Sequence, residues 1–170
     1  MAVINGKLGN NERCSTSDGA PVVIFDWDRT LDEGPGSDTV NDAAREFFED
    51  FSGDATFIIV SANSDLSNIT DGLEDAGIED SFTSIYYNTG DKLDEFNEIY
   101  NDYGNNREYL FLDDRQTNID AWKQSDLHNG EGNYRLVSNE GEEGATTSDF
   151  QAIAEWLDTV GSETYDEFLF

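Results

Sequence analysis

Three short apolar runs constrain this chain more than any other feature. Val22–Phe25, 57–60 and 109–112 each end directly in a polar residue of catalytic type: Asp26, Ser61 and Asp113. Apolar runs without alternation indicate strands covered on both faces, as in a parallel sheet between two helical layers. Weaker strand candidates lie at 82–87 and 134–137.

Between the runs, apolar residues recur at helical spacing: Val40, Ala43, Ala44, Phe47, Phe48 and Phe51, then Leu66, Ile69, Leu73 and Ala76 with Gly77 beyond. Leu93, Phe96, Tyr100 and Tyr103 before Gly104 repeat the pattern. Further helices carry Ile119 and Trp122, and then Phe150, Ile153, Ala154 and Leu157, with Gly161 as the expected stop. Alternating strands and helices predict a three-layer, Rossmann-like α/β domain with a central parallel sheet of about five strands. The expected catalytic domain spans 21–161, between a polar N-terminal tail, 1–20, and a C-terminal tail, 162–170. Asn5-Gly6 suits a hairpin turn, but its flanking strands are too short to stand alone.

In open parallel sheets, ligands bind beyond the carboxyl ends of the strands, so Asp26, Ser61 and Asp113 should converge on one site. Asp26-Trp-Asp-Arg-Thr30 is the only Asp-x-Asp in a chain full of aspartate. If strand geometry persists past Phe25, the carboxylates of Asp26 and Asp28 point the same way.

Composition narrows the chemistry. One cysteine, Cys14, excludes an internal disulfide, and one histidine, His128, placed in a turn, argues against a His/Cys zinc site. Any metal must be held by oxygen. The chain carries 38 Asp+Glu against 9 Lys+Arg, a formal net charge of -29. Self-repulsion on that scale is relieved by screening, which suggests a protein of a salt-accumulating halophile or its virus. An acidic mesophilic protein, or an acidic surface that docks on a basic partner, remains open. Nucleic acid is electrostatically disfavoured at low salt. No apolar run reaches membrane-spanning length, so no membrane partner and a cytoplasmic location are expected.

The motifs also fall in a known order. Four apolar residues followed by Asp26-x-Asp28-x-Thr30, then Ser61 after a strand, Lys92 near the start of a later helix, and Asp113-Asp114 after the next strand, resemble the haloacid dehalogenase superfamily of phosphatases. The likeness covers about 21 to 138, and the ordered set is far more specific than any one motif. It implies a phosphomonoesterase in which Asp26 is the nucleophile and Asp28 the general acid/base. Ser61, Lys92 and the backbone N–H groups of Ala62 and Asn63 would bind the phosphate. Mg²⁺ would be held by Asp26, the backbone carbonyl of Asp28 and Asp114, with Asp113 as the alternate ligand. Thr30 would bond backbone near the nucleophile.

The chain departs from the pattern at Arg29, a position often glycine in the family, and at the bulky Trp27. Arg29 either shapes the site or pairs with a neighbouring aspartate, and Arg115 is expected to pair with acidic neighbours. No cap domain fits between the motifs, which in this superfamily goes with bulky substrates or with caps supplied by oligomerisation. The stretch 113–123 also resembles the 3′-phosphatase half of phage polynucleotide kinases, although Asn63 stands where an arginine is found there. The expected partner is a phosphorylated substrate of unknown identity. A nucleotide or polynucleotide phosphatase, or a non-catalytic acidic binding protein or viral structural component of the same fold, are the alternatives.

Overall fold

A computed structural model describes residues 3–4, 7–8, 19–34, 37–104, 106–129, 133–137 and 144–166. The strands are β1 (Val3–Ile4), β2 (Lys7–Leu8), β3 (Val22–Phe25), β4 (Thr56–Val60), β5 (Phe82–Tyr86), β6 (Tyr109–Asp113) and β7 (Asn133–Leu136). The helices are α1 (Asp42–Phe51), α2 (Leu66–Ala76), α3 (Lys92–Tyr103), α4 (Gln116–Gln124), α5 (Asp126–Asn129) and α6 (Thr147–Asp166). The sheet order is β1-β2-β5-β4-β3-β6-β7. Strands β3 to β7 are mutually parallel, the expected five, with the Asp26 strand at their centre.

Strand alternation divides the core into two apolar layers. Val23, Phe25, Phe57 and Ile59 face α1, α2 and α6, where they meet Phe47, Phe48, Ile69, Leu73, Phe150 and Ile153. Val22, Ile24, Ile58 and Val60 face α3, α4 and α5, where Phe96, Ile99, Trp122 and Leu127 close over them. Because both faces are covered, the strands read as unbroken apolar runs. Phe96, Phe111 and Trp122 form an aromatic cluster on the second face, with centroids 4.8 to 5.3 Å apart. Trp122 is wholly buried, and Trp156 is partly buried against the first face.

Three features differ from expectation. Within the segment read as a tail, β1 and β2 form an antiparallel hairpin whose second strand extends the sheet through Lys7↔Tyr86 and Leu8↔Ile85. Strands too short to stand alone gain their stability from an existing sheet edge. Helix α6 continues past Gly161, since an isolated helical glycine costs only about 1 kcal/mol and does not by itself end a helix. His128 sits in the short helix α5, half-buried, with its ring 5.9 Å from that of Tyr134. Among the described residues, no helix is long and apolar enough to cross a membrane.

Candidate active site

The parallel register sets the site. Phe25 pairs with Leu112 on one side and Ile59 on the other, so the residues that follow, Asp26 and Asp113, leave adjacent strands side by side. Val60 closes β4 next to Tyr86, and Ser61 follows, its N–H donating to Tyr86 O at 2.8 Å. The polar residues that end the three apolar runs therefore emerge together at one end of the sheet.

Lys92 joins them from α3. Asp91 caps that helix, accepting from Leu93 N at 3.0 Å, and so fixes Lys92 as its first residue. A cation there opposes the helix dipole, a cost of about 0.3–1 kcal/mol that two carboxylates offset. Lys92 Nζ donates to Asp26 Oδ1 at 2.6 Å and to Asp113 Oδ2 at 2.7 Å, and all three side chains are buried. Burial works to lower the Lys92 pKa, but the charges of Asp26 and Asp113 prevail and raise it. Burial pushes the Asp26 carboxyl up to about 7, against the pull of Lys92 and with a further push from Asp113.

Asp113 is fully committed to holding the site together. Besides Lys92, it accepts from Arg115 N at 2.8 Å and from Asn118 Nδ2 at 2.9 and 3.0 Å. Asp114 is half-buried, and its carboxyl is raised by burial and by Asp113, while Arg115 and Arg29 pull it back. Carboxylate oxygens of Asp26, Asp113 and Asp114 lie within 4.8 Å of one another. An all-oxygen set of this kind suits a hard divalent cation such as Mg²⁺. Asp113 is already hydrogen-bonded at both oxygens. The carboxylate of Asp28 lies outside this group, so any contribution from Asp28 would come through its backbone carbonyl.

The route to Asp28 differs from strand alternation. β3 ends at Phe25, and the N–H groups of Thr30, Leu31 and Asp32 all donate to Trp27 O at 3.0 to 3.2 Å. This tight turn includes Arg29 with φ 58°, in the left-handed region, and Arg29 N donates to Asp32 Oδ1 at 2.6 Å. Asp28 thus reaches the site by a turn, and Ser61 Oγ approaches its Oδ2 at 3.5 Å. Trp27 is buried in the first apolar layer, donating from Nε1 to Asn68 Oδ1 at 3.2 Å. Gly72 of α2 accommodates it: a Cβ there would sit 3.0 Å from the indole and 2.1 Å from Asp38 O.

Thr30 does not play the expected part. Its buried Oγ1 has no hydrogen-bond partner, and its contribution is the carbonyl, which accepts from Asn41 Nδ2 and Ala145 N. Of the backbone groups expected to face phosphate, Asn63 N already donates to Ser61 Oγ at 3.0 Å. Ala62 is exposed, and its N–H has no partner among the described residues. Asn118, the clamp on Asp113, went unsuspected, although an amide in the first turn of the helix after an acidic pair can reach back to it. Arg29 and Arg115 form no ion pair among the described residues, contrary to the local pairing expected of Arg115.

No protein-family model and no curated protein sequence matches the chain. Among solved structures it is similar to a haloacid dehalogenase-like family hydrolase from Streptococcus pneumoniae. The TM-score is 0.53 at 11% sequence identity, and the match covers 78% of this chain and 90% of that one. At that identity the likeness concerns the fold, which is the Rossmann-like architecture of haloacid dehalogenase-like proteins.

Proposed function

We propose that the chain is a Mg²⁺-dependent phosphomonoesterase that works through an aspartyl-phosphate on Asp26, in a site left open by the absence of a cap. The observation that carries this reading is the buried Lys92 ammonium bridging Asp26 and Asp113 at the ends of neighbouring strands. A lysine buried between carboxylates fixes one as a strut and orients the other. Lys92 holds Oδ1 of Asp26, so the second oxygen attacks phosphorus in line with the leaving oxygen.

In the first step the Asp26 Oδ–P bond forms as the P–O bond to the leaving group breaks, and Asp28 gives its proton to the leaving oxygen. In the second, water attacks the same phosphorus, Asp28 takes the water's proton, and the bond to Asp26 breaks to release inorganic phosphate. Ser61 Oγ and Ala62 N–H are donors for the phosphoryl oxygens, and Lys92 offsets the charge that develops on them. Asp26, Asp114 and the Asp28 carbonyl would hold Mg²⁺, which when bound would supply charge neutralisation for an anionic nucleophile meeting an anionic ester.

Hydrolysis of p-nitrophenyl phosphate with Mg²⁺, in salt that keeps the chain folded, tests the proposal. Asp26→Asn should lower kcat by about a thousandfold or more, in keeping with the loss of a covalent nucleophile. Phosphate release that is indifferent to this substitution overturns it.

A further inference from the structure

With 38 acidic residues to 9 basic ones, every cation has a surplus of partners, and most of the described ones are engaged. Arg45 pairs with Asp42 at 2.6 Å, Arg135 with Asp149 at 2.7 Å, and Lys92 with its two carboxylates. Arg107 donates to Ala20 O and Thr56 Oγ1, and Lys123 lies 4.7 Å over the Tyr134 ring. Arg29 and Arg115, by contrast, have neither an ion pair nor a side-chain hydrogen bond nor a ring contact among the described residues. Each immediately follows an aspartate of the site, and both guanidinium charges act on the carboxyl of Asp114.

Arg29 is moreover kept in a conformation that suits glycine. At φ 58° its backbone is strained for a side chain with a Cβ, and no contact of the side chain compensates for that strain. Arg115 is exposed and Arg29 half-buried. Their planar forks suit phosphate oxygens better than a lysine would.

We infer that Arg29 and Arg115 form an anion subsite at the rim, which takes a second phosphate group of the substrate while the first lies against Asp26. The inference rests on the phosphomonoesterase reading for the position of the first phosphate. The ligand chemistry is an ester bearing another phosphate nearby, whether a free bisphosphate or a phosphorylated chain end beside a phosphodiester. In an otherwise repulsive field, these two cations let a polyanion approach this one place.

The test is equilibrium binding to Asp28→Asn protein with Mg²⁺, in which turnover is suppressed, at the lowest salt that keeps the chain folded by circular dichroism. The probes are adenosine 3′-monophosphate, adenosine 3′,5′-bisphosphate and a 3′-phosphorylated dinucleotide. The bisphosphate or the dinucleotide should bind at least tenfold more tightly than the monophosphate, and which of them does so identifies the source of the second phosphate. Adding Arg29→Gln and Arg115→Gln together should remove that preference. Arg45→Gln, the same charge change on α1, should leave it intact. Arg29→Gly should lose most of Arg29's share of the preference while its melting temperature rises by a few degrees, which a structural role for the side chain would not allow. A preference that survives in the double variant, falls equally in Arg45→Gln, or is absent from the start overturns the inference. None of these readouts depends on hydrolysis, so a failure of p-nitrophenyl phosphate turnover in the wild type would count against the enzyme reading alone.

Discussion

Replacing Lys92 by methionine keeps an unbranched side chain, one atom shorter, and removes its charge and donors. In the native protein Nζ serves Asp26 at 2.6 Å and Asp113 at 2.7 Å. The losses are unequal. Asp113 keeps Arg115 N and Asn118 Nδ2, whereas among the described residues the Asp26 carboxylate accepts from Lys92 alone. Breaking a buried pair from one side costs about 3–5 kcal/mol, because the remaining charge is left without a partner. For a chain of this length each kcal/mol moves the melting temperature by about 2–4 °C, so Lys92→Met should melt about 6–20 °C below wild type at pH 8. Acid should narrow that gap. The native Asp26 carboxyl already sits at about 7, raised by burial against the pull of Lys92, and without Lys92 it rises further. A carboxyl whose folded pKa exceeds its unfolded one favours the fold when protonated, so the variant regains stability as the pH falls from 8 towards 5. Thermal melts of both proteins across that range, without metal and in fixed salt, provide the assay. A melting temperature within about 2 °C of wild type at pH 8, or a gap that widens on acidification, refutes the reasoning.

Two further perturbations test the surrounding structure. Asp32 is buried, with Oδ1 accepting from Arg29 N and Gly34 N and Oδ2 unpartnered, and burial pushes its carboxyl up to about 7. Its stabilising share is present below about pH 4 and lost as the pH rises through 7, so Asp32→Asn should flatten the pH dependence of urea unfolding by up to about 4 kcal/mol; parallel profiles would exclude this. Gly72→Ala would drive a Cβ to 2.1 Å from Asp38 O and 3.0 Å from Trp27, and should cost about 1–3 kcal/mol with a change in tryptophan fluorescence, whereas unchanged denaturation midpoints would show that the loop can give way freely.

Much of this fold is written in the periodicity of particular residues. Val22–Phe25 is apolar at every position because helices cover both its faces, and the spacing from Leu66 to Gly77 matches α2 to its left-handed cap at φ 69°. The signal fades where stability comes from elsewhere. Val3–Ile4 and Lys7–Leu8 are too brief to carry a period, and they exist as strands because β5 offers an edge. At the site, the order Asp26, Ser61, Lys92, Asp113 was legible, since each ends a strand or begins a helix. The turn that delivers Asp28 was not, because the left-handed Arg29 breaks the alternation the pattern suggested. Nor was the saturation of Asp113, which depends on the reach of Asn118 across the start of α4.

The bridge made by Lys92 has a kinetic consequence. It spans 66 residues to Asp26 and 21 to Asp113, so no contiguous stretch of the chain contains the centre. Both loops must close, and β3 must already lie between β4 and β6, before one ammonium can meet two carboxylates. Until then three uncompensated charges would be entering a low-dielectric interior. The centre is therefore a late event on the folding route, and recovery of any activity during refolding should coincide with completion of the sheet and never precede it.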